Sequence, residues 1–347
     1  MTANVRQAKT VASRWVDQEG PRLPGFRGAY FAGSIGSLAD DAPLPPWSDV
    51  DVMVVLDRDP LAKIGKMIHE GVLLEITFLT QGEFRSAGAI LGRYHLAHSF
   101  ANANIIADPS GELTSLQRVV AREFAKRRWV EARCLDARTK VEVGLTSLPT
   151  SMALHDQVLT WVFPTGVLTQ ILLVAGLRNP TVRRRYEETL HLLTTYARLD
   201  LHDALLAVLG CVGMTRERVE HHVRAVTEVF DAAATVTDAP FPFASDISAL
   251  ARPIAIDGSR DMIARGLHRE ALFWLVVTYS RSLKMLEFAG RLDPESRFRD
   301  GYRLLLADLG INSTRDLLHR RDLALDLLPE VWHVAQGIIV ANPEIEG

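Results

Sequence analysis

Gly33-Ser34-Ile35-Gly36-Ser37, a proline-broken polar loop, and then Ser48-Asp49-Val50-Asp51 opening an apolar run to Leu56 form the stretch that decides how this chain is read. The run from Asp49 is almost continuously apolar, which predicts a central strand covered on both faces. The preceding loop, residues 39–47, holds three prolines and cannot be regular structure. One more residue belongs with the stretch: Glu75, inside a second strand-like run over residues 72–79.

Alternate residues on a strand face the same way, so Asp49 and Asp51 point together and Val50 points away. Two carboxylates at that distance repel and raise each other's proton affinity, a penalty that a cation between them removes. Mg²⁺ suits oxygen ligands and keeps positions open for phosphate oxygens and water. Glu75, on a strand that could pair nearby, supplies a third ligand. Three carboxylates can hold two Mg²⁺ ions, one on the tail of a nucleoside triphosphate and one on the attacking oxygen. Gly33 and Gly36 let the backbone come close. Ser34, opening a short helix, would put a hydroxyl and backbone N–H groups where a phosphate sits. The plainer alternative is that the aspartates begin a strand and the glycines make a turn. A bare Asp-x-Asp carries no more than that; the glycine-serine pair upstream and the glutamate downstream favour the metal site. A Rossmann fingerprint is excluded because Gly33-x-x-Gly36 lacks its third glycine. No Gly-Lys-Ser/Thr follows, so there is no P-loop.

Working outward, residues 4–18 have helical apolar spacing, ended by Pro21 and Pro24. Residues 28–32 read as a short strand, 63–68 and 72–79 as two strands joined at His69-Glu70-Gly71, 81–99 as helix broken near Gly92, and 103–107 as a strand. Beyond about residue 120 the segments become long and rich in Ala, Leu and Arg: 113–145, 152–177, 180–199, 202–209, 215–234, 263–289, 297–309, 314–327 and 329–340. The expected fold is therefore α+β, a small mixed-sheet domain over residues 1–120 followed by an all-α domain over 121–347.

At 347 residues and 48% apolar composition the chain can bury substantial cores, and it is not a disordered protein. A net charge of −3 argues against a dedicated binder of nucleic-acid backbone. Cys134 and Cys211 make no framework and no metal spacing, so a cytoplasmic location is expected. The stretch 161–177 is interrupted by Pro164, Gly166 and Gln170 and is not a convincing membrane span. Self-association into a homodimer is left open. The basic cluster Arg178, Arg183, Arg184 and Arg185 reads as helix capping and solvated charge, with contact to phosphate or substrate as the alternative. Tyr279, Arg281 and Lys284 are expected to snorkel from an apolar helix. His221 and His222 read as surface or core residues, and Asp322 and Asp326 as a solvated face.

On Gly33-Ser34, Ser48-Asp49-Val50-Asp51 and Glu75 the chain resembles the nucleotidyltransferase superfamily that includes DNA polymerase beta, and most of all the antibiotic nucleotidyltransferases of the kanamycin type. The resemblance covers about the first third of the chain and is specific for the superfamily, not for a substrate. The loop between Ser34 and Ser48 is longer than the family's usual one. The resemblance implies nucleotide contacts from Gly33, Ser34 and Ser48. It also implies a general base and a phosphate-binding lysine on the first helix after the catalytic domain, from a Glu-x-x-x-Lys. Here Asp136 and Lys140 stand at a similar place, one helical turn apart. Asp replaces Glu, Glu142 is a rival base, and an ordinary surface ion pair is the alternative reading.

Three functions follow as expectations. The first is transfer of a nucleoside monophosphate, most simply AMP from ATP, to a hydroxyl of a small molecule, with an aminoglycoside-like antibiotic as one such acceptor. The second is transfer to a protein side chain or RNA end. The third is a nucleotide-binding regulator without catalysis. Fold-level likeness does not decide among them.

Overall fold

Asn4 starts the first helix. Its side chain accepts the N–H of Gln7 at 2.9 Å while the Gln7 side chain accepts the N–H of Asn4 at 3.1 Å, a reciprocal capping box. The computed structural model describes residues 4–36, 38–58, 63–293 and 295–347. In it, α1 (Val5–Glu19) is followed by β1 (Phe26–Phe31), β2 (Val50–Leu56), β3 (Gly65–His69) and β4 (Val72–Thr80). Next come α2 (Ala87–Leu91), α3 (Ala97–Ala101), β5 (Ile105–Ala107), α4 (Glu112–Glu123) and α5 (Arg127–Thr146). The strands form one sheet in the order β3-β4-β2-β1-β5, with β2 and β4 parallel and the other pairs antiparallel.

The continuous apolar character of β2 has the reason expected of it. Val50, Val52 and Val54 are fully buried on one face with Trp15, Ala8 and Ala12 of α1, and with Leu74 and Ile76 of β4. Val55 is buried on the other face with Tyr30, Ile90, Phe100 and Val120, from β1, α2, α3 and α4. The residues after β4 are helical over 81–101 with the expected break at Gly92, but in short pieces: a 3₁₀ turn over Gln81–Phe84, then α2 and α3, with the chain turning at Gly92 and Arg93 between them.

The chain divides into two compact units. One comprises residues 1–133 with 344–347, the other residues 134–343. The last residues return to the first unit, where Glu346 pairs through its backbone with Ala125 and Arg127. The second unit contains the later part of α5, then α6 (Leu154–Ala175), α7 (Arg185–Thr195), α8 (Leu199–Leu209), α9 (Arg216–Ala233), α10 (Gly258–Ala264), α11 (His268–Phe288), α12 (Arg297–Asp308) and α13 (Thr314–Ala341). Among its described residues there is no strand.

Some helix boundaries differ from the sequence reading, for local reasons. The expected helix over 263–289 is two helices. Gly266, at φ +86°, ends α10, and the N–H of Leu267 reaches back to the carbonyl of Met262. Residues 180–184 stay outside α7. The two segments separated at Pro329 are one helix, because α13 continues through that proline. Pro164 likewise lies inside α6, and Gly144 makes room for it: a β-carbon there would be 2.5 Å from Pro164 Cγ.

Both α6 and α13 are long and apolar enough to cross a membrane, but 78% of the most apolar window of α6 is buried within the structure. Trp161, Leu168 and Leu172 of α6 are fully buried, as in the central helix of a core.

Candidate metal centre

The site belongs to the first unit, and strand register builds it. In the parallel pair β2 and β4, Asp51 stands opposite Glu75; in the antiparallel hairpin, Lys66 stands opposite Glu75. Lys66, Glu75 and Asp51 therefore form one row across the sheet on one face. Asp49, just ahead of β2, joins them from two residues upstream. Asp49, Asp51 and Glu75 can each offer a carboxylate oxygen such that all three lie within 4.8 Å of one another. These three sequence candidates are brought together.

Gly33 explains its own presence. It opens a single 3₁₀ turn over Gly33–Gly36 at φ +64°, and a β-carbon there would lie 1.8 Å from Asp51 Oδ2. Only glycine takes that conformation without cost and leaves room for the carboxylate. The turn is anchored by Ile35, fully buried in the core beneath. Ser34 is exposed and second in this short turn, which Gly33 opens. Ser48 is half-buried, its N–H bonded to the carbonyl of Pro45 at 3.0 Å.

A residue that the sequence reading passed over holds the centre of the cluster. The side chain of Lys66 is 5% exposed; its ammonium lies 2.8 Å from Asp49 Oδ2 and contacts Glu75 Oε2 as well. Lys63 reaches the other oxygen of Glu75 at 2.5 Å. The signal was present in the hairpin. The positive φ values fall at Glu70 and Gly71, so the turn has two central residues and pairs His69 with Val72. Counting back from there sets Lys66 against Glu75. Read as a three-residue loop, His69-Glu70-Gly71 gives no such register, and a shift by one would send Lys66 to the opposite face.

The carboxylates are not equivalent. Burial pushes Asp51 well above the usual carboxylate range, and the neighbouring charges of Asp49 and Glu75 push it further. Among the described residues Asp51 has no ion-pair partner. Burial also raises Asp49, with Glu75 adding to it and Lys66 opposing. Burial would raise Glu75 too, but Lys66 and Lys63 outweigh it and bring that carboxyl down to about 2. A crowded, dehydrated set of three carboxylates facing two lysines among the described residues, made of hard oxygens alone, fits a divalent cation of the Mg²⁺ kind.

The remaining candidates lie in the second unit. Asp136 is half-buried and Lys140 exposed, both on α5; Glu142 is ion-paired to Arg138 at 2.9 Å. In the basic cluster, Arg184 pairs with Glu187 and Glu188, and Arg185 is buried over the ring of Phe273 with its Nε–H donated to the carbonyl of Val182. Arg184 thus neutralises the acidic first turn of α7, and Arg185 packs α7 against α11. Arg281 and Lys284 are not left to solvent, since Asp246 and Asp156 pair with them. His222 is buried and bonded to Asp308 at 2.6 Å, a core histidine.

No protein-family model and no curated protein matches the sequence. Among solved structures, a nucleotidyltransferase-like protein from Exiguobacterium sibiricum aligns with 86% of this chain and 88% of its own, at 14% identity and a TM-score of 0.28.

Proposed function

We propose that the chain is a divalent-metal-dependent nucleotidyltransferase that passes a nucleoside monophosphate, AMP from ATP in the simplest case, to a hydroxyl of a small molecule and releases pyrophosphate. The observation that carries this reading is the convergence of Asp49, Asp51 and Glu75 on one sheet face, with Gly33 pressed against Asp51. Asp49, Asp51 and Glu75 would hold the metal. Bound there, it would neutralise triphosphate charge and lower the proton affinity of the acceptor hydroxyl. The Gly33–Gly36 turn presents open backbone beside the carboxylates, where a phosphate can approach. A net charge of −3 suits a cationic acceptor such as an aminoglycoside-like antibiotic. A cytoplasmic setting belongs with this reading, and both cysteines are free and buried.

The test is incubation of the full chain with each NTP, Mg²⁺ and a panel of hydroxylated antibiotics and metabolites, reading pyrophosphate and a nucleotide-sized mass gain on the acceptor. Asp49→Asn and Asp51→Asn should each abolish transfer while leaving a folded protein, because the first leaves Lys66 its pairing with Glu75 and the second removes a like charge from a crowded site. Full activity in both variants would sink the mechanism. A second reading, a nucleotide binder without transfer, is favoured by Lys66 already sitting on two of the three carboxylates. It requires that no NTP and acceptor pair yields pyrophosphate.

A further inference from the structure

Lys66 occupies the place a cation would take. Its ammonium touches Asp49 Oδ2 and Glu75 Oε2, two of the oxygens within the three-carboxylate cluster, and only 5% of the side chain is exposed. Mg²⁺ binds oxygens at about 2.0–2.1 Å and tolerates little departure from its geometry. An ion bridging those same two oxygens would overlap the ammonium. The two cations therefore compete for one seat. The charges say which arrangement wins in each state. With all three ionised, the carboxylates set against Lys63 and Lys66 leave one negative charge among the described residues. A divalent ion added alone would turn that into one positive charge in a half-buried pocket, and would have to displace an ammonium already well paired. A divalent ion arriving on a triphosphate brings its own surplus of negative charge. The four-carbon stem of Lys66 then lets the released ammonium swing from carboxylate to phosphate oxygen without losing a partner.

We infer that Lys66 is a built-in counter-ion that excludes free metal from the triad and gives way, as a phosphate-binding group, when metal and nucleoside triphosphate arrive together. This rests on the reading of the triad as a metal centre. Its consequence is obligate coupling: metal binds weakly without nucleotide, and each ligand strengthens the other by the same factor.

The experiment measures Mn²⁺ binding to the full chain by electron paramagnetic resonance and calorimetry, with and without a non-hydrolysable ATP analogue. Lys66→Met keeps the stem and deletes the charge. It is expected to bind Mn²⁺ alone at least about tenfold more tightly than wild type, since a like charge a few ångströms away has gone. The analogue should tighten Mn²⁺ binding at least about tenfold in wild type and much less in Lys66→Met. Lys66→Arg, which keeps the charge, should match wild type toward Mn²⁺ alone. A bridge that only holds β3 to β4 predicts lower stability in Lys66→Met and no gain in metal affinity, and that result overturns the inference. So does a gain seen equally in Lys66→Arg. Asp51→Asn separates the two levels of argument. If it abolishes Mn²⁺ binding while Lys66→Met changes nothing, the metal centre stands and the counter-ion role falls. If no variant binds Mn²⁺ and Asp51→Asn is indistinguishable from wild type, both fall.

Discussion

Gly33 and Gly71 show how one residue type answers two different demands. Both have positive φ, +64° and +80°. A side chain at Gly71 would meet nothing within 4 Å, whereas one at Gly33 would strike Asp51 Oδ2. Gly71→Ala should therefore cost only the backbone term, about 1–2 kcal/mol in urea unfolding, and leave Mn²⁺ affinity unchanged. Gly33→Ala should cost at least as much and also displace the carboxylate, lowering Mn²⁺ affinity at least about tenfold, a loss of about 1.4 kcal/mol. Equal metal affinity in the two variants would reduce Gly33 to a turn residue.

Among elements, the hairpin and the sheet do the positioning. The two-residue turn at Glu70 and Gly71 sets β3 against β4, and the parallel pairing sets β4 against β2, so three charged side chains meet in one row. The other support is α1, whose Trp15 is 4% exposed in the core under the sheet. Trp15→Ala should destabilise the first unit by about 3–5 kcal/mol through the cavity it leaves, read as a lower urea midpoint. The helices of the second unit follow packing more than local propensity. Pro329 and Pro164 each remove an N–H from a helix interior, yet α13 and α6 continue through them. In α6 the buried faces on both sides hold the helix in place where the sequence alone signals a break.

At the scale of the whole chain, the second unit carries a buried ionic knot whose pH behaviour can be worked out. The side chain of Glu187 is fully buried, 2.7 Å from Arg184 Nε and 2.5 Å from Arg265 Nη1. Burial would raise its proton affinity, but the two guanidiniums more than offset this and bring it from an ordinary 4.5 to about 2. A carboxyl depressed in the folded state stabilises above its unfolded value and loses that contribution as pH falls through the folded one. The window is thus from pH 4.5 down to about 2. Glu187→Gln should lower stability at pH 7 by about 1–3 kcal/mol, since the buried side chain loses its charge-assisted bonds to two part-exposed guanidiniums that keep Glu188 and Asp261 as partners. It should also flatten the fall in stability across that window, measured by urea unfolding at a series of pH values. A parallel curve, merely shifted, would contradict the linkage.

The sequence by itself determined the parts that depend on near neighbours. Asp49 and Asp51 face one way because a strand has period two. The apolar run of β2 required cover on both faces, and it has α1 on one and α2, α3 and α4 on the other. The α+β division into a mixed sheet and a helical remainder followed from the change in periodicity. Tertiary structure alone decided that Glu75 pairs with Asp51, because parallel pairing joins strands that share no turn and whose register no local signal sets. It also decided that Lys66, set beside Glu75 by the hairpin, reaches Asp49, that Gly33 yields its side-chain space to Asp51, and that Arg185 is absorbed into helix packing. Each is a contact between residues well apart in sequence or turned inward by packing. Such contacts become legible only when the free energy of burial has fixed which faces meet.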